Sequence, residues 1–90
     1  MSAGVKLRAI REAYHMGRAD FAKIIGISVK SLEKMEMERQ RVTEEVFLAI
    51  GNKFPDFAYW FLTGDTDACN GHISPEIYQL QIAKRQLQDK

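Results

Sequence analysis

The sequence predicts an all-α protein, with five helices forming a compact domain over residues 1–64 and a connector plus an additional C-terminal helix over 65–90. Three observations carry this. Apolar residues recur at three- and four-residue spacing, the period of a helix with one buried face. Helix punctuation separates those stretches: Gly26 and Gly64 as stops, Ser28, Thr43 and Pro55 as starts. No stretch alternates apolar and polar residues with the period of a strand, and no internal repeat or low-complexity tract interrupts the pattern.

The elements follow in order. Leu7, Ile10 and Tyr14 share a face, with Arg8, Arg11 and Glu12 between them, which predicts a first helix over 4–15. Gly17 serves as N-cap of a second helix, with Asp20 in its first turn and Phe21, Ala22, Ile24 and Ile25 as its apolar face, ending at Gly26. Ser28 caps a third helix in which Leu32, Met35 and Glu36 share one side, while Val29, Lys30, Glu33 and Lys34 point elsewhere. Glu38 to Arg41 form a polar loop. Thr43 caps a fourth helix, with Glu44 and Glu45 against its dipole and Val46, Phe47 and Ile50 inward. Pro55, at a first helical position, starts a fifth over 55–63, closed by Gly64. Residues 65–73 are a turn-rich connector. Ser74, Pro75 and Glu76 open a sixth helix with Ile77, Leu80, Lys84 and Leu87 along one side.

Composition narrows the class. Ninety residues hold one domain, and 46% apolar with 28% charged residues fits a soluble globule with one modest core. Cys69 is the only cysteine, which excludes an intrachain disulfide and a multi-cysteine metal site and fits a reducing cytoplasm. Secretion and membrane insertion are not expected: the longest apolar run is Phe57 to Leu62, and Lys6 and Arg8 occupy the opening stretch that a signal peptide keeps apolar. The net charge of +1 conceals an asymmetry. Residues 1–41 carry nine Lys/Arg and five Asp/Glu, a balance of +4, and residues 42–90 carry four and seven, a balance of −3. The basic half suits a polyanion.

The second and third helices are joined by Gly26-Ile27-Ser28-Val29: a glycine for an unusual backbone angle, a buried apolar residue, then a cap. So close a pair reads as a helix-turn-helix, which exposes the start of helix three, where Val29, Lys30 and Lys34 are within reach of base edges in a major groove.

Leu7-Arg8-Ala9-Ile10-Arg11-Glu12-Ala13, then Phe21-Ala22, Gly26-Ile27-Ser28, Leu32 and Glu36 resemble the helix-turn-helix of the phage repressor and Cro class, the XRE family, over about residues 5–62. The resemblance implies a five-helix, repressor-like DNA reader whose third helix enters the major groove. It implies that Arg18, at the start of helix two where the family more often has Gln, braces on a phosphate. Val29, Lys30 and Lys34 fall on base-facing positions, Ser31 belongs to the same DNA-contacting set, and Arg39, Gln40 and Arg41 match the loop that grips the backbone. Arg11 and Glu36 match a structural ion pair behind the third helix. Two departures stand out. Glu38 replaces the family's usual glycine, which predicts a longer third helix, and Val29 replaces a polar reader, leaving contact with a thymine methyl or a sugar.

Other constellations are weaker. Phe54, Phe57, Tyr59, Trp60 and Phe61 suit a buried helix face better than a single-strand stacking platform, with Tyr59 or Trp60 as alternatives for a subunit contact. The aromatic payload is expected to be complete by Leu62. Asp65, Asp67 and Glu76 match three positions of a calcium loop, but Cys69 replaces an oxygen ligand and Gly71 falls one residue late, so a plain connector is expected. His15 and His72 lack metal spacing, and no nucleophile-and-base set or phosphate loop appears. Neither catalysis nor a cofactor is expected, and no ligand pocket is implied. Ile77, Leu80 and Leu87 form a narrow stripe laid either on the domain or against its copy in a second subunit.

The functional expectation is a cytoplasmic double-stranded DNA-binding transcriptional regulator of the phage or prophage repressor type, acting as a homodimer on a near-palindromic operator. The alternatives are an antitoxin whose extra helix clasps a toxin, and a protein-interaction adaptor that has lost DNA binding. Polymerase is a further expected protein partner.

Overall fold

Ser2 opens the first helix, its hydroxyl accepting the Val5 N–H at 3.2 Å, so α1 spans Ala3–Ala13 in the computed structural model, which describes residues 1–88. The predicted end at residue 15 is corrected by His15, whose φ of 54° turns the chain left-handed and lets the Met16 N–H reach back to the Arg11 carbonyl at 3.2 Å. Histidine tolerates that conformation better than most side chains.

α2 (Arg18–Ile25) stops at Gly26, whose φ is +78°. The Gly26 and Ile27 amides both donate to the Ala22 carbonyl, and Ile27 turns its side chain toward the core, which satisfies the last turn as a left-handed stop does. Of the four apolar residues predicted for its inner face, Phe21, Ala22 and Ile25 are buried, and Ile24 is exposed because it lies to one side of that stripe. α3 (Val29–Glu36) starts one residue after Ser28, so the link is Gly26-Ile27-Ser28 and Val29 is its first helical residue. Leu32, Met35 and Glu36 are buried as the spacing predicts.

The prediction that α3 runs longer is overturned. The helix ends at Glu36, and Glu38 adopts φ +61°, the left-handed turn a glycine would take, with the Arg39 N–H donating to the Lys34 carbonyl at 2.8 Å. Closing the carbonyls of the last turn outweighs the steric penalty of a side chain at that angle.

α4 (Glu44–Lys53) is capped by Thr43, and α5 (Pro55–Thr63) begins at proline and closes at Gly64, φ +82°. Among the described residues the chain is an all-α globule of six α-helices with no strand; α6 (Pro75–Gln88) is the last, and Ala68–Asn70 form a single 3-10 turn in the connector. No described helix is long and apolar enough to cross a membrane.

The core is centred on Leu7, Ile10, Phe21, Leu32, Val46, Ile50 and Phe57, all fully buried. Aromatic rings join the halves: Phe21 stacks on Phe54 at 5.5 Å, and Tyr14 meets Phe54 and Phe57 at 5.5 and 5.8 Å. That payload is not complete by Leu62. Tyr78 of α6 packs on Tyr14 at 5.1 Å and Phe57 at 5.7 Å, and Ile73 is buried with its N–H on the Asp56 carbonyl at 3.0 Å. The first turn of α6 is therefore core, anchored further by Gln79 donating to the Ala13 carbonyl at 3.2 Å. Beyond it the stripe divides: Ile77 packs on the core, while Leu80 and Leu87 are 59% and 75% exposed.

Candidate nucleic-acid interface

One carboxylate organises the back of α3. The Glu36 side chain is 1% exposed and accepts from Arg11 Nε at 2.8 Å and Arg11 Nη2 at 3.0 Å, a two-pronged pair joining α1 to α3. Arg18 Nε approaches the same carboxylate at 3.1 Å. A third Arg11 bond, to the Met16 carbonyl at 3.0 Å, ties in the loop before α2. The hydrogen bonds to Glu36 hold the Arg11 guanidinium above its ordinary pKa against the opposing effect of burial, with the charges of Glu36 and Glu12 adding to the rise. Two guanidiniums on one buried carboxylate leave the cluster with an excess positive charge at the start of α2. Arg18 is 38% exposed, so it is fixed through its Nε while part of its head faces solvent.

Close backbone approach completes the scaffold. A Cβ on Gly4 would lie 2.0 Å from the Met35 carbonyl oxygen, so α1 and the end of α3 touch where only glycine fits. Ser2 donates its hydroxyl to the Glu38 carboxylate across the same junction. Neither contact has a signal in the sequence, since glycine within the first turn of a helix has no periodic signature and the partner lies 31 residues away.

With its inner side fixed, α3 presents Val29, Lys30, Glu33 and Lys34 to solvent. Ser31 is half-buried and its hydroxyl accepts from Ser28, whose own oxygen takes the Ser31 N–H at 3.1 Å, so Ser31 is occupied in capping. Arg39, Gln40 and Arg41 are exposed in the loop after α3. The ion pairs among the described residues engage Arg8, Arg11 and Arg18, whereas Lys30, Lys34, Arg39 and Arg41 have no carboxylate within ion-pair distance. The outer face of α3 and the loop beyond thus carry four cations without an ion-pair partner among the described residues.

No family model matches this chain, and no curated protein matches it.

The subunit-contact candidates separate. Trp60 is 8% exposed and its ring lies 5.8 Å below the Lys6 ammonium, so it belongs to the interior; the suggestion that it meets a second subunit is corrected by burial alone. Tyr59 departs from the buried aromatic face predicted for it, lying partly exposed with its ring 5.3 Å from His72. Lys6 escaped sequence reasoning: it is buried and donates to the Phe61 carbonyl at 3.3 Å, a cation at the C-terminal end of α5 where the helix dipole favours one.

Proposed function

We propose that this chain is a sequence-specific double-stranded DNA-binding transcriptional regulator of the repressor and Cro type, reading a near-palindromic operator as a homodimer. The observation that carries the reading is the pairing of α2 and α3 through a three-residue turn opened by left-handed Gly26, with α3 anchored behind by Leu32, Met35 and Glu36 and its lysines outward. A major groove accepts such a helix, and a rigid back lets its side chains act as fixed readers.

In this reading Lys30 and Lys34 donate to base edges and Val29 covers a thymine methyl. Arg39, Gln40 and Arg41 contact phosphates on one flank, and the exposed part of Arg18 does so on the other. Ser31 contributes through the cap that aims the helix. A dimer follows from magnitude, because one short helix buries too little surface for operator-level specificity. Occlusion or recruitment of polymerase is then a matter of where the operator lies.

A second reading, an antitoxin or protein-interaction adaptor, draws on Leu62, Leu80 and Leu87, exposed in the acidic half where they offer apolar surface to a protein partner. Selection from a random duplex pool at two salt concentrations tests the first reading. The regulator yields an enriched motif with two half-sites about one helical turn apart and a steep salt dependence. Recovery of no enriched motif and no salt-dependent binding gives the protein-partner reading its place.

A further inference from the structure

The junction between the start of α1 and the loop from α3 to α4 encloses an open pocket of about 450 Å³, whose apolar part the DNA reading does not use. That volume lies within the roughly 300 to 1,000 Å³ typical of small-molecule sites. Its floor is apolar, made by Ala3, Gly4, Met35, Val42 and Phe47, with Phe47 held in place by the Phe61 ring at 5.0 Å. Its rim carries Arg39 and Arg41, which have no carboxylate within ion-pair distance among the described residues. The rim's one carboxylate, Glu38, is engaged by the Ser2 hydroxyl.

We propose that this pocket binds a small amphipathic acid, a carboxylate on an unbranched apolar chain, and that occupancy competes with duplex DNA. Two chemistries meet in it, and each excludes a simpler occupant. A bare anion would satisfy the arginines and leave the apolar floor wet, while a neutral hydrocarbon would cover the floor and leave two cations unpaired. A carboxylate between Arg39 and Arg41 with its chain on Val42 and Phe47 satisfies both. At Gly4 the floor is closed by direct backbone contact between α1 and α3, where a Cβ would lie 2.0 Å from the Met35 carbonyl oxygen. Competition rests on the DNA reading above, since the same two arginines are assigned there to phosphates, and a bound carboxylate takes up their charge.

The test titrates decanoate into the full chain, without DNA, by calorimetry and by amide shifts. Saturable one-to-one binding is expected, with shifts concentrated at Gly4, Val42 and Phe47. Decanol and inorganic phosphate should each bind at least about tenfold more weakly, the size of a lost hydrogen bond between charged groups. Arg39→Gln combined with Arg41→Gln should weaken decanoate to a similar extent at unchanged helicity, and Ala3→Met, which fills the floor from a different side, should weaken it without removing charge. Binding of decanol or phosphate as strong as that of decanoate overturns the assignment, as do shifts centred on Leu62 or Leu80. With a duplex recovered by selection, DNA affinity should fall in proportion to decanoate occupancy; unchanged affinity overturns the competition. Decanoate binding by a chain that binds no duplex upholds the pocket and removes the DNA reading instead.

Discussion

α3 and α6 both pack against α1, and both are amphipathic, yet they are held in opposite ways. α3 is fixed along its whole inner side by Leu32, Met35 and a carboxylate gripped by two arginines, and its outward face is cationic. α6 is fixed at its first turn by Tyr78, with Gln79 beside it, while Leu80 and Leu87 stand in solvent. One helix is immobilised to present charge, and the other is anchored at one end and leaves apolar surface uncovered. Anchoring and exposure are thus separate design variables: the same amphipathic pattern yields a rigid reader or an open platform according to how much of its inner side finds a partner.

The largest way to break this contrast is to remove the α3 anchor. Glu36→Ala leaves the Arg11 guanidinium without its carboxylate in a largely buried position and should cost about 3 to 5 kcal/mol. Arg11→Ala should cost less, about 2 kcal/mol, because Arg18 still neutralises the carboxylate. Urea unfolding of the two variants gives the order directly, and equal losses would show that Arg18 contributes nothing to the cluster.

Next comes the anchor of α6. Tyr78→Ala removes a ring packed on Tyr14 and Phe57 and should cost about 2 kcal/mol, whereas Leu87→Ala should stay within about 0.5 kcal/mol for the isolated chain. Light scattering sharpens the comparison, since a loss of dimer in Leu87→Ala without a loss of monomer stability places the second subunit on the exposed part of α6. Truncation after Gly71 is expected to destabilise the core, because it removes Ile73 and Tyr78.

These two helices also show what could be read from the sequence. Caps and stops are local, so Gly26, Ser28, Thr43, Pro55 and Gly64 could be placed from residue type and spacing alone. The inner side of α3 followed from period, and the Arg11–Glu36 pair from resemblance. What escaped depends on partners far along the chain. Gly4 against Met35, Lys6 on the Phe61 carbonyl, Arg18 drawn onto Glu36 and Tyr78 entering the aromatic core are all tertiary choices. The pocket escaped for the same reason, since its floor comes from α1, α3, α4 and the loop between α3 and α4.

Smaller in energy are the effects on the outward face of α3. Lys30→Ala and Lys34→Ala should each reduce discrimination between operator and mutated operator by about 1 to 3 kcal/mol at unchanged stability. Competition binding checks this, and equal loss on every sequence moves the lysines to the phosphate contacts. Arg41→Ala should weaken all duplexes and shallow the salt dependence by about one unit of slope. Arg18→Ala should shallow it by less, because its Nε is already committed to Glu36. Identical slopes would mean that this commitment is given up on DNA.

The smallest expected effect tests how α3 ends. Glu38 holds φ at +61°, an angle that costs a side chain about 1 kcal/mol and glycine little, and it returns part of that through the Ser2 hydroxyl at an exposed site. Glu38→Gly relieves the backbone by about 1 kcal/mol, forfeits the exposed bond at about 0.5 and adds freedom to the unfolded chain at about 0.5, so its stability should stay within about 0.5 kcal/mol of the parent, or about 2 to 4 °C in a domain of this size. Glu38→Ala forfeits the bond without relieving the backbone and should lose about 0.5 kcal/mol. Both thermal melts are needed, because their difference isolates the turn from the hydrogen bond. If the glycine variant proves less stable than the alanine one, the left-handed turn at Glu38 is not what stops α3.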